Sequence, residues 1–310
     1  MEFGILSPEV PVSGSSAGAG MAAELFCKTR EYGFDLMQFN YTSVGLEEMP
    51  LIIADSLNRE IAAGAAKNRI GIAAVSGTFN MAHPDIAVRQ DGVKRFKQIA
   101  SSCRALGCDL VSLCTGSRNM ESMWRPHPDN ETPEAWKDMA SVMEQLVLIA
   151  EKFSINLGIE TEASNIINTP QKAKKIIDEI NSPRLKIIMD AANLFRHGMA
   201  KKENVKKVMA EAFDILGPYI ALAHGKDILD LGPPEVSQPD VSLSDKSPSG
   251  QNQQPREGIA FTCAGKGIID FAFFMNELEK IGYKNGLILH GIKNPKDIPG
   301  CLEYIRGISR

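Results

Sequence analysis

Two carboxylates stand directly after apolar segments in the middle of the chain. Glu160 closes the segment INLGIE and Asp190 closes LKIIMD. Two histidines hold similar places further on, His224 after YIALA and His290 after GLIL. Carboxylate oxygens and imidazole nitrogens are the ligands that zinc, manganese and similar divalent ions take in proteins. These residue types therefore point to a metal centre, provided that the fold brings the segment ends together.

Each of these residues also has an ordinary structural interpretation. An acid at the end of a strand often caps a helix or forms an ion pair, and a histidine is often a satisfied polar residue of the interior. Four consecutive segment ends of this kind favour a shared metal site over four separate structural roles. The hypothesis then depends on the elements that position them.

Eight short apolar segments alternate along the chain with amphipathic helical patterns. The segments are FGIL, FDLMQF, RIGIAAV, DLVSLC, INLGI, LKIIM, YIALA and GLIL. Several are apolar throughout, which is typical of parallel strands that are buried on both faces. Eight such units predict an α/β fold of the (β/α)8 TIM-barrel type, as a single domain over residues 1–310. In that fold the C-terminal ends of the strands form the active face, where the two acids would be neighbours.

The helical patterns have recognisable starts and ends. Thr132-Pro133 and Thr169-Pro170 each predict an N-cap followed by proline in the first turn. Gly107 is placed to end the long helix that starts near Asp85. The main alternative architecture is an open doubly wound sheet. The first βα loop, however, has no G-x-G-x-x-G motif.

One segment does not follow this alternation. Residues 229–262 are rich in Pro, Ser, Gln and Asp and carry few large apolar side chains. Such a composition cannot pack a core of its own, and it predicts a mobile insertion after strand 7. A lid over the active face and a tolerated surface insertion are both consistent with it.

Composition narrows the classes of function. The chain has 310 residues, 44% apolar and 23% charged, with a net charge of −4. This charge disfavours binding of nucleic acid through its phosphates. No apolar run reaches the length of a membrane span, and no secretory leader is expected at the N-terminus. Six cysteines without a CxxC pair suit reduced thiols and a cytoplasmic location. This composition leaves a homo-oligomer open.

Five short motifs, taken in order, carry a resemblance to a known family. They are TGS (115–117), GIET (158–161), MDAAN (189–193), HGKD (224–227) and GKG (265–267). In this order the chain resembles the xylose isomerase-like barrels, which include sugar and sugar phosphate isomerases and epimerases, inosose dehydratases and apurinic endonucleases of the type-four class. The resemblance implies a divalent metal ion (Mn, Zn, Mg or Co) held by Glu160, Asp190 and His224. It also implies that the expected partner is a small-molecule carbohydrate substrate.

The chain departs from that family at two positions. The family usually ends its eighth strand in a glutamate, whereas this chain has His290. After the sixth-strand aspartate the family often has a histidine three residues on, where Asn193 stands here. His290 can ligate a metal and can also act as an acid or base. Metal binding by Glu160, Asp190, His224 and His290 therefore survives the change better than epimerisation by two glutamates.

The resemblance implies a proton abstraction next to a carbonyl. Glu160 would take the proton from the carbon, and His290 or Lys226 would return one. Lys226 could instead form a surface ion pair with Asp227. The further candidates for substrate binding, which could equally be solvated loop residues, are Asn80, Arg118, Trp124, Arg125, His127, Arg196 and Lys266.

Four functions remain for comparison. The first is a metal-dependent isomerase or epimerase of a sugar or sugar phosphate, and the second is an inosose-type dehydratase on the same scaffold. A nuclease of the apurinic class would need a three-zinc cluster and more ligands than five histidines supply. A sugar-binding barrel that has lost its catalysis is the fourth, and His290 is the feature that supports it.

Overall fold

The computed structural model of the protein describes residues 1–13, 19–195, 199–231 and 259–308. Nine strands occur within these ranges: β1 (Phe3–Leu6), β2 (Leu36–Phe39), β3 (Gly71–Ser76), β4 (Leu110–Leu113), β5 (Asn156–Glu160), β6 (Leu185–Asp190), β7 (Ile220–Asp230), β8 (Ile259–Cys263) and β9 (Leu287–Leu289). All except β8 pair in parallel, in the order β6-β5-β4-β3-β2-β1-β9-β7, and β7 returns to β6. The predicted closed eight-stranded barrel is therefore confirmed.

Helices surround the barrel. They are α1 (Ala19–Glu31), α2 (Asp55–Asn68), α3 (Ile86–Leu106), α4 (Pro133–Phe153), α5 (Pro170–Ile180), α6 (Val205–Leu216), α7 (Phe271–Lys280) and α8 (Ile298–Ile308). The Thr–Pro signals start α4 and α5 as predicted. Thr132 Oγ1 accepts from Ala135 N and Thr169 Oγ1 from Lys172 N, both at 3.2 Å. Gly107 ends α3 in the left-handed conformation, with φ of 67°.

Packing between barrel and helices forms one large core. Its fully buried side chains come from helices and strands alike, and they include Phe26, Phe39, Phe96, Ile176 and Phe274. Each such side chain contributes about 1.5–3 kcal/mol relative to an exposed one. The helices are held on the barrel by this apolar contact.

A second, smaller core comes from five strands of the barrel. It consists of Ala74, Leu110, Ile188, Leu222 and Ile288, on β3, β4, β6, β7 and β9. Because side chains alternate along a strand, the residue two positions further on points to the same side. Those residues are polar, and they are Ser76, Ser112, Asp190, His224 and His290. The fold thus places a polar layer on top of an apolar layer, at the C-terminal end of the barrel.

Strand β7 is longer than the sequence suggested. The HGKD motif was expected to follow the strand, but β7 runs on through it to Asp230. Its second half pairs antiparallel with β8, from Lys226 opposite Cys263 to Asp230 opposite Ile259. The ends of the predicted insertion 229–262 are therefore strand residues, which corrects that expectation at both ends. The interior of the insertion, 232–258, lies outside the described residues.

Two further findings bear on the sequence-based expectations. All six cysteines are free thiols, and all except Cys27 are buried. Among the residues that the structure describes, there is no helix with the length and apolar character needed to span a bilayer.

Candidate metal centre at the barrel mouth

Three predicted ligands meet at the C-terminal ends of β5, β6 and β7. Glu160, Asp190 and His224 each offer one ligand atom, and these atoms lie within 4.8 Å of one another. His224 Nδ1 is 3.5 Å from Glu160 Oε2 and 3.6 Å from Asp190 Oδ2. All three residues are buried. Two carboxylates and an imidazole at this separation can hold a divalent cation.

An unsatisfied nitrogen indicates that a cation fits between them. His224 Nδ1 is fully buried and has no hydrogen-bond partner among the described residues. Its other ring nitrogen, Nε2, lies 2.8 Å from Gln38 Oε1. Gln38 Nε2 in turn donates to Ser112 Oγ at 3.2 Å, so Oε1 is the atom that faces His224. Nε2 of His224 must then donate, so Nδ1, which faces the two carboxylates, is the nitrogen whose lone pair would bind a cation once its proton has left.

We expect Gln38 to support metal binding although it is not a ligand. Gln38→Met removes the acceptor of the His224 Nε2–H and leaves a buried donor unpaired. The affinity for Zn²⁺ or Mn²⁺, measured by calorimetry, should fall by about 10–100-fold. Ser76→Ala is the matched control, because it removes only a 3.5 Å contact to Gln38 Nε2. Equal affinities of Gln38→Met and wild type would contradict this role.

A buried lysine neutralises the carboxylates. Lys226 Nζ lies 2.9 Å from Asp190 Oδ2 and 3.9 Å from Glu160 Oε1. It also donates to Asn193 Oδ1 at 2.9 Å, and Asn193 Nδ2 donates to Glu160 Oε1. The alternative of a surface pair between Lys226 and Asp227 is wrong, since Lys226 is only 1% exposed and faces the centre.

Charge compensation shifts the pKa values of this group. Burial acts to lower the pKa of His224, but Glu160 and Asp190 outweigh it and raise the pKa to about 9. Burial acts to raise the pKa of Asp190, but Lys226 and His224 outweigh it and hold the pKa below its usual value. Without a metal ion, the carboxylates are thus compensated by a lysine and a protonated histidine.

The fourth predicted ligand lies beside this group rather than in it. The rings of His290 and His224 have their centroids 5.7 Å apart. His290 Nδ1 lies 2.8 Å from Glu9 Oε1, and both side chains are buried. Glu9, just past β1, was not predicted from the sequence. The structure therefore brings together three of the four proposed ligands and places the fourth next to them, against a carboxylate.

Asp227, the last residue of HGKD, organises a neighbouring loop. Its carboxylate accepts four backbone N–H groups, from Ile228, Gly265, Gly267 and Ile269, at 2.8–3.1 Å. The GKG motif is thereby tied to β7. A Cβ on Gly267 would lie 2.1 Å from the Ile228 carbonyl oxygen, so only glycine fits there.

Four of the predicted substrate-binding residues form hydrogen bonds or ion pairs with other groups of the protein. Asn80 exchanges hydrogen bonds with the backbone of Ser117, at 2.8 and 3.0 Å. Arg118 pairs with Asp138 of α4 at 2.7 Å, and Lys266 pairs with Asp297 at 2.6 Å. The guanidinium of Arg125 lies 2.5 Å from Glu121.

Trp124 and His127, two further candidates, are aromatic residues of the loop between β4 and α4. Trp124 is half-buried, and His127 Nδ1 accepts from Asp129 N at 3.2 Å. Arg196 lies outside the described residues. Binding of substrate by any of these seven side chains stays a prediction.

Sequence reasoning missed one more acid with a shifted pKa. Glu48 lies in the connection between β2 and α2, and burial raises its pKa to about 7 despite a 3.4 Å hydrogen bond from Asn40. Burial raises the pKa of the Cys114 thiol. The charges of Glu160, Asp190 and Glu48 also act to raise it, and that of Lys226 acts to lower it. A single glutamate in a loop carries no sequence signal of burial.

Glu48 should make stability depend on pH. The folded protein holds this proton more tightly than the unfolded chain, so the free energy of unfolding falls as pH rises from 4.5 to about 7. Relative to wild type, Glu48→Gln should gain up to about 3 kcal/mol between pH 5 and 8. Urea unfolding of chelator-treated protein measures this. Glu47→Gln is the control, as Glu47 pairs with Arg95 at the surface. Parallel stability profiles of Glu48→Gln and wild type would refute the shift.

The fold and the buried carboxylate–histidine group define a TIM barrel with a candidate metal centre at its mouth. The model of the xylose isomerase-like TIM barrel family matches residues 26–307, and the chain belongs to this family. An inosose dehydratase of Histophilus somni (strain 129Pt) is 23% identical over 219 residues, which are 70% of this chain and 68% of that protein.

Solved structures agree with the fold. A D-tagatose 3-epimerase-like protein superposes with a TM-score of 0.71 at 19% identity, covering 100% of this chain and 97% of that one. A xylose isomerase-like TIM barrel protein from Mycobacterium smegmatis, in complex with magnesium, has a TM-score of 0.69 at 16% identity and covers 99% and 96%. The IOLI protein with a bound zinc atom has a TM-score of 0.64 at 16% identity and covers 100% and 96%.

Proposed function

We propose that the protein is a metal-dependent isomerase or epimerase that acts on a sugar or sugar phosphate by abstracting a proton next to a carbonyl. The observation that carries this is the buried Glu160–Asp190–His224 group with its unsatisfied imidazole nitrogen. The zinc and magnesium in two similar structures support a divalent ion as the cofactor.

Each residue has a chemical task in this proposal. Glu160, Asp190 and His224 hold the cation, which when bound polarises the substrate carbonyl as a Lewis acid. Glu160 would take the proton from the adjacent carbon. Lys226, a cation held between Asp190 and Asn193, favours the negative charge that develops on the substrate oxygens. His290 returns a proton to the opposite face of that carbon.

The site itself favours a base working without competition from water. Glu160, Asp190, His224 and Lys226 are each at most 6% exposed. Electrostatic interactions are stronger in such surroundings than in water, so the positions of these charges have a large effect on the barrier. A carbohydrate offers the adjacent carbonyl and hydroxyl oxygens that the proposed centre would bind.

A dehydratase acting on an inosose is the second candidate. The named relative with that activity supports it, as does His290 in the place of the usual glutamate. Dehydration begins with the same proton abstraction by Glu160, but it needs an acid for the leaving hydroxyl rather than a second carbon base. An imidazolium can supply that proton.

Product analysis in D₂O separates the candidates. Metal-loaded protein is incubated with a panel of ketoses, their phosphates and an inosose, and the products are followed by NMR and mass spectrometry. An epimerase exchanges the carbon-bound hydrogen for deuterium and retains the oxygens, whereas a dehydratase releases water. Substrate binding without exchange or water loss would reject both and would favour a sugar-binding barrel that has lost its catalysis.

A further inference from the structure

The carboxylate of Glu9 contacts His290 and is itself held by backbone hydrogen bonds. Glu9 Oε1 accepts from Gly291 N at 2.8 Å, and Glu9 Oε2 accepts from Ile292 N at 3.2 Å. Oε1 also lies 2.8 Å from His290 Nδ1. Glu9 lies in the turn after β1 (Ser7–Glu9), so this contact joins the first and last strands of the barrel at its mouth. Because Glu9 is only 8% exposed, this contact is more firmly fixed than an ion pair at the surface would be.

This geometry determines which nitrogen of His290 carries the proton. Backbone N–H groups can only donate, so both Glu9 oxygens are acceptors. An ionised carboxylate has no proton to give, and His290 Nδ1 must therefore donate to it. The remaining nitrogen, Nε2, then exchanges the second proton of the ring. In a histidine without such a partner the two tautomers would interconvert.

His290 also belongs to the polar layer that contains the proposed ligands. It lies two residues after Ile288 of the small apolar core, as His224 lies two residues after Leu222. Its ring is 5.7 Å from that of His224, between centroids. The histidine that Glu9 holds is thus next to the proposed metal centre.

We infer that Glu9 is a positioning residue for proton transfer: it fixes His290 in the Nδ1–H form and assigns Nε2 to the substrate. The inference rests on the proposed function. The Glu9–His290 pair then takes the place of a single carboxylate at the end of the last barrel strand.

The proton inventory balances for both candidate reactions. Glu160 accepts the proton from the carbon, and the C–H electron pair enters the enediolate. In an epimerisation, the His290 imidazolium gives its Nε2 proton to the opposite face of that carbon, and the electron pair forms the new C–H bond. In a dehydration, the enediolate electron pair forms the new C=C bond as the C–O bond breaks, and the departing hydroxyl takes the C–O electron pair and the same proton and leaves as water. Exchange with solvent then restores Glu160 and His290.

The tautomer can be measured without any substrate. Long-range ¹H–¹⁵N spectra of zinc-loaded, ¹⁵N-histidine-labelled protein report which ring nitrogen is protonated, and His290→Gln assigns the signals. At a pH where His290 is neutral, we expect the proton on Nδ1 in wild type. In Glu9→Gln the amide oxygen can still accept from His290 Nδ1 and Gly291 N, with the amide group facing Ile292 N, whereas in Glu9→Ala the acceptor is absent. Glu9→Ala should therefore shift the proton towards Nε2, and Glu9→Gln should keep it on Nδ1.

Asp227→Asn is the matched control. Asp227 also fixes a mouth loop through backbone N–H groups, from Gly265, Gly267 and Ile269, so its loss tests whether loop loosening alone changes His290. We expect the His290 signals of this variant to match wild type. A proton on Nε2 in wild type, or unchanged His290 signals in Glu9→Ala, would overturn the inference.

Turnover gives the functional arm of the test. Glu9→Ala should lower kcat by about 10–100-fold, with KM and metal affinity within about threefold of wild type. A loss of metal affinity as large as in Gln38→Met would instead make His290 a metal ligand and overturn the assignment to proton transfer. Should no sugar be turned over, the spectra would still decide the positioning by Glu9, and only the proposed function would fail.

Discussion

Glu160→Gln should lower turnover by about 10³-fold or more and leave the fold intact. Asn193 Nδ2 donates to Glu160 Oε1, and the glutamine oxygen can accept that bond equally well. The new amide group would face His224 Nδ1, 3.5 Å from Glu160 Oε2, and can donate to it. The variant therefore keeps the packing and hydrogen bonds of Glu160 but has neither a base nor an anionic ligand at position 160.

Hydrogen exchange gives the direct measurement for this variant. Incorporation of deuterium from D₂O at the carbon next to the carbonyl reports proton abstraction even when no net product forms. Unfolding midpoints and far-ultraviolet circular dichroism check the fold. Glu179→Gln on α5 is the control, because Glu179 is an exposed carboxylate that accepts from Trp136 Nε1. Exchange at the wild-type rate in Glu160→Gln would remove Glu160 as the base.

The proposed ligands could be found in the sequence because strand geometry is regular. An apolar run that ends in an acid or histidine places that side chain at the strand end, and parallel strands bring their ends to one face. This reasoning placed Glu160, Asp190 and His224 in one group, which the structure also brings together.

The residues that support this group could not be found in the same way. Gln38 is one polar letter within the apolar segment FDLMQF, and nothing local shows that it faces His224 across the barrel. Glu9 lies in a turn, 281 positions before its partner His290. Such contacts form only when the barrel closes. The separation of two residues along the chain does not predict whether closure brings them together.

The loop candidates illustrate a different limit. Asn80 and Arg118 lie beyond strand ends as expected, but neighbouring groups take their polar atoms: Ser117 for Asn80, and Asp138 for Arg118. Sequence position predicts where the backbone of a loop residue lies, whereas the direction of its long side chain depends on the partners within reach. The hairpin of β7 and β8 was missed because HGKDILD mixes polar and apolar residues without a strand period.

Asp190→Asn should reduce the affinity for divalent metal by more than the 10–100-fold that is typical of supporting residues. Asp190 is fully buried, and its Oδ1 accepts from Ala192 N at 2.9 Å, so Oδ2 is the oxygen left for a cation. The asparagine oxygen can retain the bond to Ala192 N. Its amide group would then occupy the Oδ2 position, where it can neither ligate a metal nor pair with Lys226.

Within the described part of the chain, this substitution also leaves the Lys226 cation with Glu160, at 3.9 Å, as its one carboxylate partner. Breaking a buried pair in this way costs about 3–5 kcal/mol of stability, which could itself weaken metal binding. The double variant Asp190→Asn/Lys226→Met separates the two effects, because it removes the unpaired cation as well. We expect the double variant to regain stability in urea unfolding but not metal affinity in calorimetry. Recovery of affinity together with stability would show that Asp190 acts through Lys226 and is not itself a ligand.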